Sequence, residues 1–305
     1  MKKNCKYLTL IFSDNCGEPS KNYKPIGYGG FCHNEIGYLQ RLIIIAGNLN
    51  RKAVFPLPWI SLCHKHNNNK PVNKHTTWSI YLNLDNINNL EKKPPFSFNN
   101  NGGIVTDLSI AYYPSNILIN NIDHIDHSVD IIALVNYDSV DNLKRYSYLP
   151  TWTPQKRKYP TSDLLINYAK MILSKFNLDR FTFIHIRRGD FLDNYKLAPP
   201  KGTRPYTSAE YVSNFIKKYI TNKKIIIATD EKDFDYKKKL VMLLQSYKLI
   251  FEEEYYKYLP NNILNDNYCI YLILHEIARR ADINIGTYGY VRIGDKYDLS
   301  LSKLI

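Results

Sequence analysis

The run FTFIHIRRGD, Phe181–Asp190, opens apolar, β-branched and aromatic and ends abruptly in charge. Its first half has the composition of a strand buried on both faces, the kind found in a parallel sheet. In an open α/β sheet, ligands bind outside the carboxyl ends of the strands, so His185, Arg187, Arg188 and Asp190 are expected at the mouth of a site. Side chains alternate along a strand, which sends His185 and Arg187 to one side and Arg188 to the other unless the strand has already ended. A guanidinium keeps its charge at any working pH, and its planar fork of donors matches phosphate oxygens. The pair His185 and Arg187 therefore points to an anionic ligand, a diphosphate first. The competing reading is structural: an Arg and Asp pair that staples the loop to the sheet. The cell-adhesion tripeptide Arg188-Gly189-Asp190 is read as coincidence directly after a core strand.

On both sides of this run, strand-like and helix-like patterns alternate. Residues 162–176 read as a helix, and Thr207 with Glu210 forms a capping box opening a helix to about Tyr219. Lys224–Thr229 is a strand, 234–245 a helix, 248–251 a strand, 267–281 a helix and Ile283–Gly286 a short strand. Strands alternating with helices of this length mean a parallel, doubly wound sheet. Its strands end in His185 and Arg187, in Thr229-Asp230-Glu231, and in Gly286-Thr287-Tyr288, which one pocket receives if neighbouring strand ends converge.

The amino-terminal half has its own unit of strand, glycine-rich loop, helix and strand. Lys6–Phe12 reads as the first strand; Gly27, Gly29 and Gly30 precede a helical pattern running to about Asn50; residues 52–56 resume a strand, and 130–135 form another. Glycines before a helix let backbone amides approach an anion or a sugar. The third glycine of a dinucleotide fingerprint is replaced by Cys32, which argues against dehydrogenase chemistry. Residues 60–128 are rich in Asn and Lys and read as loops around short elements, with Cys63, His64 and His66 lacking the fourth ligand of a metal site. The Pro-rich, charged stretch 148–160 marks a linker, which gives domains 1–160 and 161–305.

The length of 305 residues suits either one large domain or this pair. A net charge of +13 favours phosphorylated partners at long range, although the same codon usage that yields 26 Tyr also enriches Lys. Five scattered Cys form no CxxC pair and imply a reducing compartment. Two Lys before a short apolar run imitate a signal peptide, but Tyr7–Phe12 is too short for one. No stretch reaches the roughly 18 apolar residues of a membrane span, so the sequence is expected to be soluble and cytoplasmic.

Taken in order, several segments resemble the O-fucosyltransferase-like superfamily of GDP-fucose-dependent fucosyltransferases, which is related to the α1,2-, α1,6- and protein O-fucosyltransferases. These are YLTLIF at 7–12, GGFCHNEIGYLQ at 29–40, AGNLNRKAVFPLP at 46–58, HIRRGDF at 185–191, IIIATDE at 225–231 and EIARRADINIGTYGYVRIGD at 276–295. Together they cover about a fifth of the chain. HIRRGDF is similar to the family's HxRRxD donor motif. The resemblance implies a GT-B-like architecture of two Rossmann-like domains facing across a cleft, the first mainly for the acceptor and the second for the donor nucleotide. It also implies metal-independent, inverting transfer of L-fucose from GDP-fucose to a glycan or protein hydroxyl, with no cofactor and no nucleic acid partner. By motif position, His185 contacts the guanine or ribose side of the donor and Arg187 binds the β-phosphate. Arg188, Thr229, Asp230, Asp282, Gly286, Thr287 and Tyr288 line the donor pocket, joined by Gly29, Gly30, Phe31 and Asn34 from the early loop. Candidates for the base that takes the acceptor proton are His33 and Glu35 in that loop, and Asp190 or Asp193 after the arginines. The chain departs from the family where Thr287-Tyr288-Gly289-Tyr290 replaces small hydroxyls and where His33-Asn34 replaces Asn-Gln.

Two other readings compete. Asp233-Phe234-Asp235 is formally the DxD triplet of a metal-dependent GT-A transferase, although its carboxylates suit the first turn of the next helix. A non-catalytic, basic RNA- or glycan-binding protein would account for the charge and the Tyr content. Unusual residues gathered at strand ends, and not along a stripe, speak against it.

Overall fold

The computed structural model describes residues 5–12, 39–62, 67–68, 70, 72–85, 87–99, 102–114, 124–136, 160–189, 192, 204–287 and 298–301. These fall into two compact units: one holds the residues up to Ser162 with Asp266–Tyr268, the other those from Asp163 to Asn265 and from Cys269 onward. Each unit is a mixed α/β structure built on a parallel sheet.

In the first unit the strands are β1 (Tyr7–Phe12), β2 (Lys52–Val54), a short antiparallel pair β3 (Ser97–Phe98) and β4 (Ile104–Val105), then β5 (Ile110–Pro114) and β6 (Ile131–Asn136). The main sheet has the order β2-β1-β6-β5 with parallel neighbours. β1 lies inside this sheet, which is why Leu8, Leu10 and Ile11 are all buried. Buried Arg51 secures the amino ends of the strands, donating to the carbonyls of Tyr7 (3.3 Å), Asp130 (3.1 Å) and Val129 (3.1 Å). The helix Gln40–Asn48 makes the β1 to β2 crossover. β5 falls in a stretch that the sequence presents as loop. It is an edge strand closed by Pro114, and proline is tolerated at a sheet edge because no ladder donor is missed there. The Tyr81 hydroxyl donates to Asp266 Oδ2 at 2.6 Å, both residues buried, which joins Asp266–Tyr268 to this unit.

The second unit carries β7 (Thr182–Ile186), β8 (Lys224–Thr229), β9 (Lys248–Ile250), β10 (Ile283–Gly286) and β11 (Asp298–Ser300), all parallel, in the order β11-β10-β7-β8-β9. The chain runs from β7 outward through β8 and β9, then returns to the other side of β7 for β10 and β11. The direction of winding reverses between β7 and β10, and the carboxyl ends of strands at such a reversal are where an open sheet receives ligands. Ile184 and Ile186 of β7 pack with Val212, Phe215 and Ile216 of helix Ala209–Tyr219 and with Leu240 of helix Phe234–Leu243. Phe183 and His185 take the opposite face by alternation.

The cap of helix Ala209–Tyr219 differs from the expected capping box. Ser208, and not Thr207, is the N-cap, its Oγ accepting the Tyr211 N–H at 3.2 Å. Thr207 closes a short helix, Arg204–Thr207, and its carbonyl and hydroxyl are engaged by Arg188. Asp233 is likewise a cap, Oδ1 accepting the Asp235 N–H at 2.9 Å, so the formal DxD triplet begins helix Phe234–Leu243. No helix among the described residues is long and apolar enough to cross a membrane.

Candidate functional site

The reversal between β7 and β10 sets His185, Arg187, Gly286 and Thr287 at one sheet edge, with Thr229 and Asp230 next to them at the end of β8. Register pairs His185 with Gly286 on one side and Ala228 on the other. Paired residues in a parallel sheet present their side chains on the same face, so the imidazole is flanked by a hydrogen and a methyl group. Burial, and then the neighbouring Arg187 guanidinium, hold its pKa below the ordinary value against the opposing pull of Asp230. His185 is therefore a neutral donor or acceptor at neutral pH.

The end of β7 is tied down on both flanks. Thr287, fully buried, donates its hydroxyl to the His185 carbonyl at 2.8 Å and accepts the Arg187 N–H at 2.6 Å. On the other flank Asp230 Oδ1 accepts the Arg188 N–H at 2.6 Å, while Oδ2 stands 3.2 Å from Arg187 Nε. One carboxylate thus fixes the backbone that carries the arginines and orients the guanidinium of the first. The Arg187 side chain remains 36% exposed. Gly189 permits this arrangement: a Cβ there would meet Asp230 Oδ2 at 2.5 Å.

Arg188 turns the other way. Its Nε donates to Glu231 Oε2 at 2.6 Å, its Nη1 to the Thr207 carbonyl at 2.7 Å, and its guanidinium lies 4.2 Å from the centre of the Tyr236 ring. The Tyr236 hydroxyl donates to the same Thr207 carbonyl at 2.8 Å. The two readings of the Arg run therefore divide between its members: Arg188, buried, is the staple, and Arg187, half-exposed, is the residue presented at the edge.

Of the expected donor residues, the structure brings together His185, Arg187, Thr229, Asp230, Gly286 and Thr287. It does not bring Asp282 to them. That residue precedes β10, where Oδ2 accepts the Phe181 N–H at 3.1 Å and an Asn222 amide proton at 3.2 Å, so it braces the amino edge of the sheet. Arg188 faces away from the edge for the reason given. Gly29, Gly30, Phe31, His33, Asn34, Glu35, Asp190, Asp193 and Tyr288 lie outside the described residues. Sequence patterns assign Glu252 no role: buried just beyond β9, it accepts the Thr229 N–H through Oε1. Its one signal is position, after the end of the next strand along the same edge. The Thr229 hydroxyl accepts the Glu231 N–H at 3.1 Å, closing the turn after β8.

A neutral imidazole between two small neighbours and an oriented guanidinium at a sheet reversal are groups that can meet a planar group joined to an anion. Among the described residues no group of three His, Cys, Asp or Glu is placed to hold a metal ion.

No family model matches the chain, and no curated protein matches it in sequence. Among solved structures, it is similar to POFUT1 in complex with GDP-fucose at 13% identity and a TM-score of 0.47, covering 98% of this chain and 99% of that one. It is similar to NodZ α-1,6-fucosyltransferase co-crystallised with GDP at 11% identity and a TM-score of 0.43, covering 94% and 91%. A further structure, fucosyltransferase NodZ from Bradyrhizobium, matches at 11% identity and a TM-score of 0.43, covering 94% and 92%.

Proposed function

We propose that this protein is a fucosyltransferase that binds GDP-fucose at the carboxyl ends of β7, β8 and β10 and moves L-fucose to a glycan or protein hydroxyl. The reading is supported by the ordered segments that resemble the fucosyltransferase superfamily and by what stands at the sheet edge. The observation that carries it is the placement of Arg187: half-exposed at the winding reversal, held by Asp230 through Nε and by Thr287 through its backbone N–H. In this proposal the second unit is the donor half of a GT-B transferase and the first the acceptor half.

The chemistry needs few parts. The acceptor oxygen attacks the anomeric carbon, the bond from that carbon to the diphosphate oxygen breaks, and its electron pair leaves with GDP. Attack from the face opposite the leaving group inverts the β-linked donor to an α-fucoside. Negative charge grows on the diphosphate, and a guanidinium oriented in advance stabilises it without a metal. In this reading His185, neutral and flanked by the small residues Gly286 and Ala228, meets the nucleoside side of the donor. The acceptor proton passes to a base, for which His33, Glu35 and Asp190 are the candidates.

Turnover of GDP-fucose with and without EDTA, in wild type and Arg187→Ala, tests this reading. Release of GDP unaffected by EDTA and lowered about 100-fold or more by the substitution is the expected result. Activity abolished by EDTA and restored by Mn²⁺ would overturn the metal-independent mechanism, and full activity in Arg187→Ala would overturn the site.

A further inference from the structure

The mechanism makes no use of one buried carboxylate beside this edge. Glu252 opens the short helix Glu252–Tyr256 and reaches under the carboxyl end of β8, where Oε1 accepts the Thr229 N–H. Its other oxygen, Oε2, is buried with no hydrogen-bond partner among the described residues. The Thr229 N–H, aided by the N–H of Glu252 itself, is modest compensation for a carboxylate taken out of water, and a native fold that keeps such a group calls for an explanation. Position supplies one. Thr229 is the last residue of β8, its hydroxyl takes the Glu231 N–H, and between them Asp230 accepts the Arg188 N–H and ion-pairs with Arg187 at 3.2 Å.

We propose that Glu252 is a positioning residue for the donor site: its carboxylate holds the Thr229 N–H, fixes the turn that presents Asp230 to Arg187, and loosens that turn when it takes up a proton. The proposal rests on the donor site argued above. A charged carboxylate is the stronger acceptor for an amide, so ionised Glu252 grips the strand end more firmly than its neutral form. Burial is the main cause that raises its pKa, to about 7, which puts the change within the physiological range. Lys237, on helix Phe234–Leu243, opposes the rise, and Glu253, on its own helix, adds to it. The Tyr255 and Tyr256 hydroxyls on the same helix also feel the charge; both are pushed upward by burial first and by Glu252 next.

The test follows the Thr229 amide in protein labelled with ¹⁵N-threonine, the peak being identified by its loss in Thr229→Ser. Between pH 5 and 9 the wild-type amide should shift in one step with a midpoint at about 7, and the step should vanish in Glu252→Gln. In parallel, GDP affinity is measured at pH 5.5 and 8.5 in both proteins. The ratio of wild-type to variant affinity should rise about tenfold toward high pH, titration of GDP itself cancelling in the ratio. A Thr229 amide that does not titrate, or a flat ratio, overturns the proposal; if Glu252→Gln does not fold, the wild-type amide alone decides it. Failure of GDP to bind at any pH, with the amide step intact, overturns the donor assignment and leaves the clamp standing.

Discussion

Two adjacent guanidiniums follow directly after β7, and each meets a different carboxylate. Arg188 meets Glu231 in a nearly dry setting, with side-chain exposures of 11% and 15%, and adds the Thr207 carbonyl and the Tyr236 ring. Removing one partner of such a pair leaves the other charge buried, so Arg188→Ala should lower stability by about 3 kcal/mol in urea melts. Arg187 and Asp230 are about one-third exposed, and solvent screens their pairing; Arg187→Ala should change stability by less than about 1 kcal/mol. Equal losses in the two variants would contradict the division of roles. Gly189 is held to its identity by space: Gly189→Ala puts a methyl carbon 2.5 Å from Asp230 Oδ2 and must move that carboxylate. We expect a stability loss of about 1–3 kcal/mol with weakened GDP binding, read by urea melts and calorimetric titration. Unchanged affinity would show that Asp230 does not orient the site.

Among the elements, β8 and the helix after β9 carry a pH dependence of known sign. Folded Glu252 holds its proton up to about 7, whereas the ordinary value is 4.5. The folded state therefore binds more protons than the unfolded one between these values, and stability falls as pH rises through that window, by about 3 kcal/mol in all. Glu252→Gln should remove this contribution, so its stability relative to wild type should improve by about that amount between pH 4.5 and 8 in urea melts. A constant difference would mean that Glu252 is ionised throughout. Position in the fold also decides which elements were legible in advance. β7 and β8 announce themselves because their central residues are buried on both faces and read as near-continuous apolar runs; β10, short and interrupted by Asn284, is legible mainly from its place after a helix. β5 and the β3–β4 pair do not: the first is an edge strand ending in proline, and the second has two residues per strand. The Thr207 to Ser208 change of cap follows from Arg188, a partner distant in sequence that no local pattern reveals. Asp282 matched a motif yet stands at the amino edge of the sheet, because a residue just before a strand lies at the end away from the ligands.

At the scale of the molecule, a chain with net charge +13 draws anions toward it, but attraction at long range does not choose among them. In the proposed function the choice is made where β7 and β10 part, where Arg187, Asp230, Thr287 and His185 stand together. The most direct measurement is a thermal-unfolding series with GDP, UDP and CMP, on wild type and Arg187→Ala. GDP should raise the wild-type melting temperature, its binding adding about 2.7 kcal/mol at a hundredfold excess over the dissociation constant. Arg187→Ala should melt where the unliganded wild type does and respond little to GDP. A response to UDP alone, or a GDP response equal in the two proteins, would contradict a guanosine diphosphate site built on Arg187.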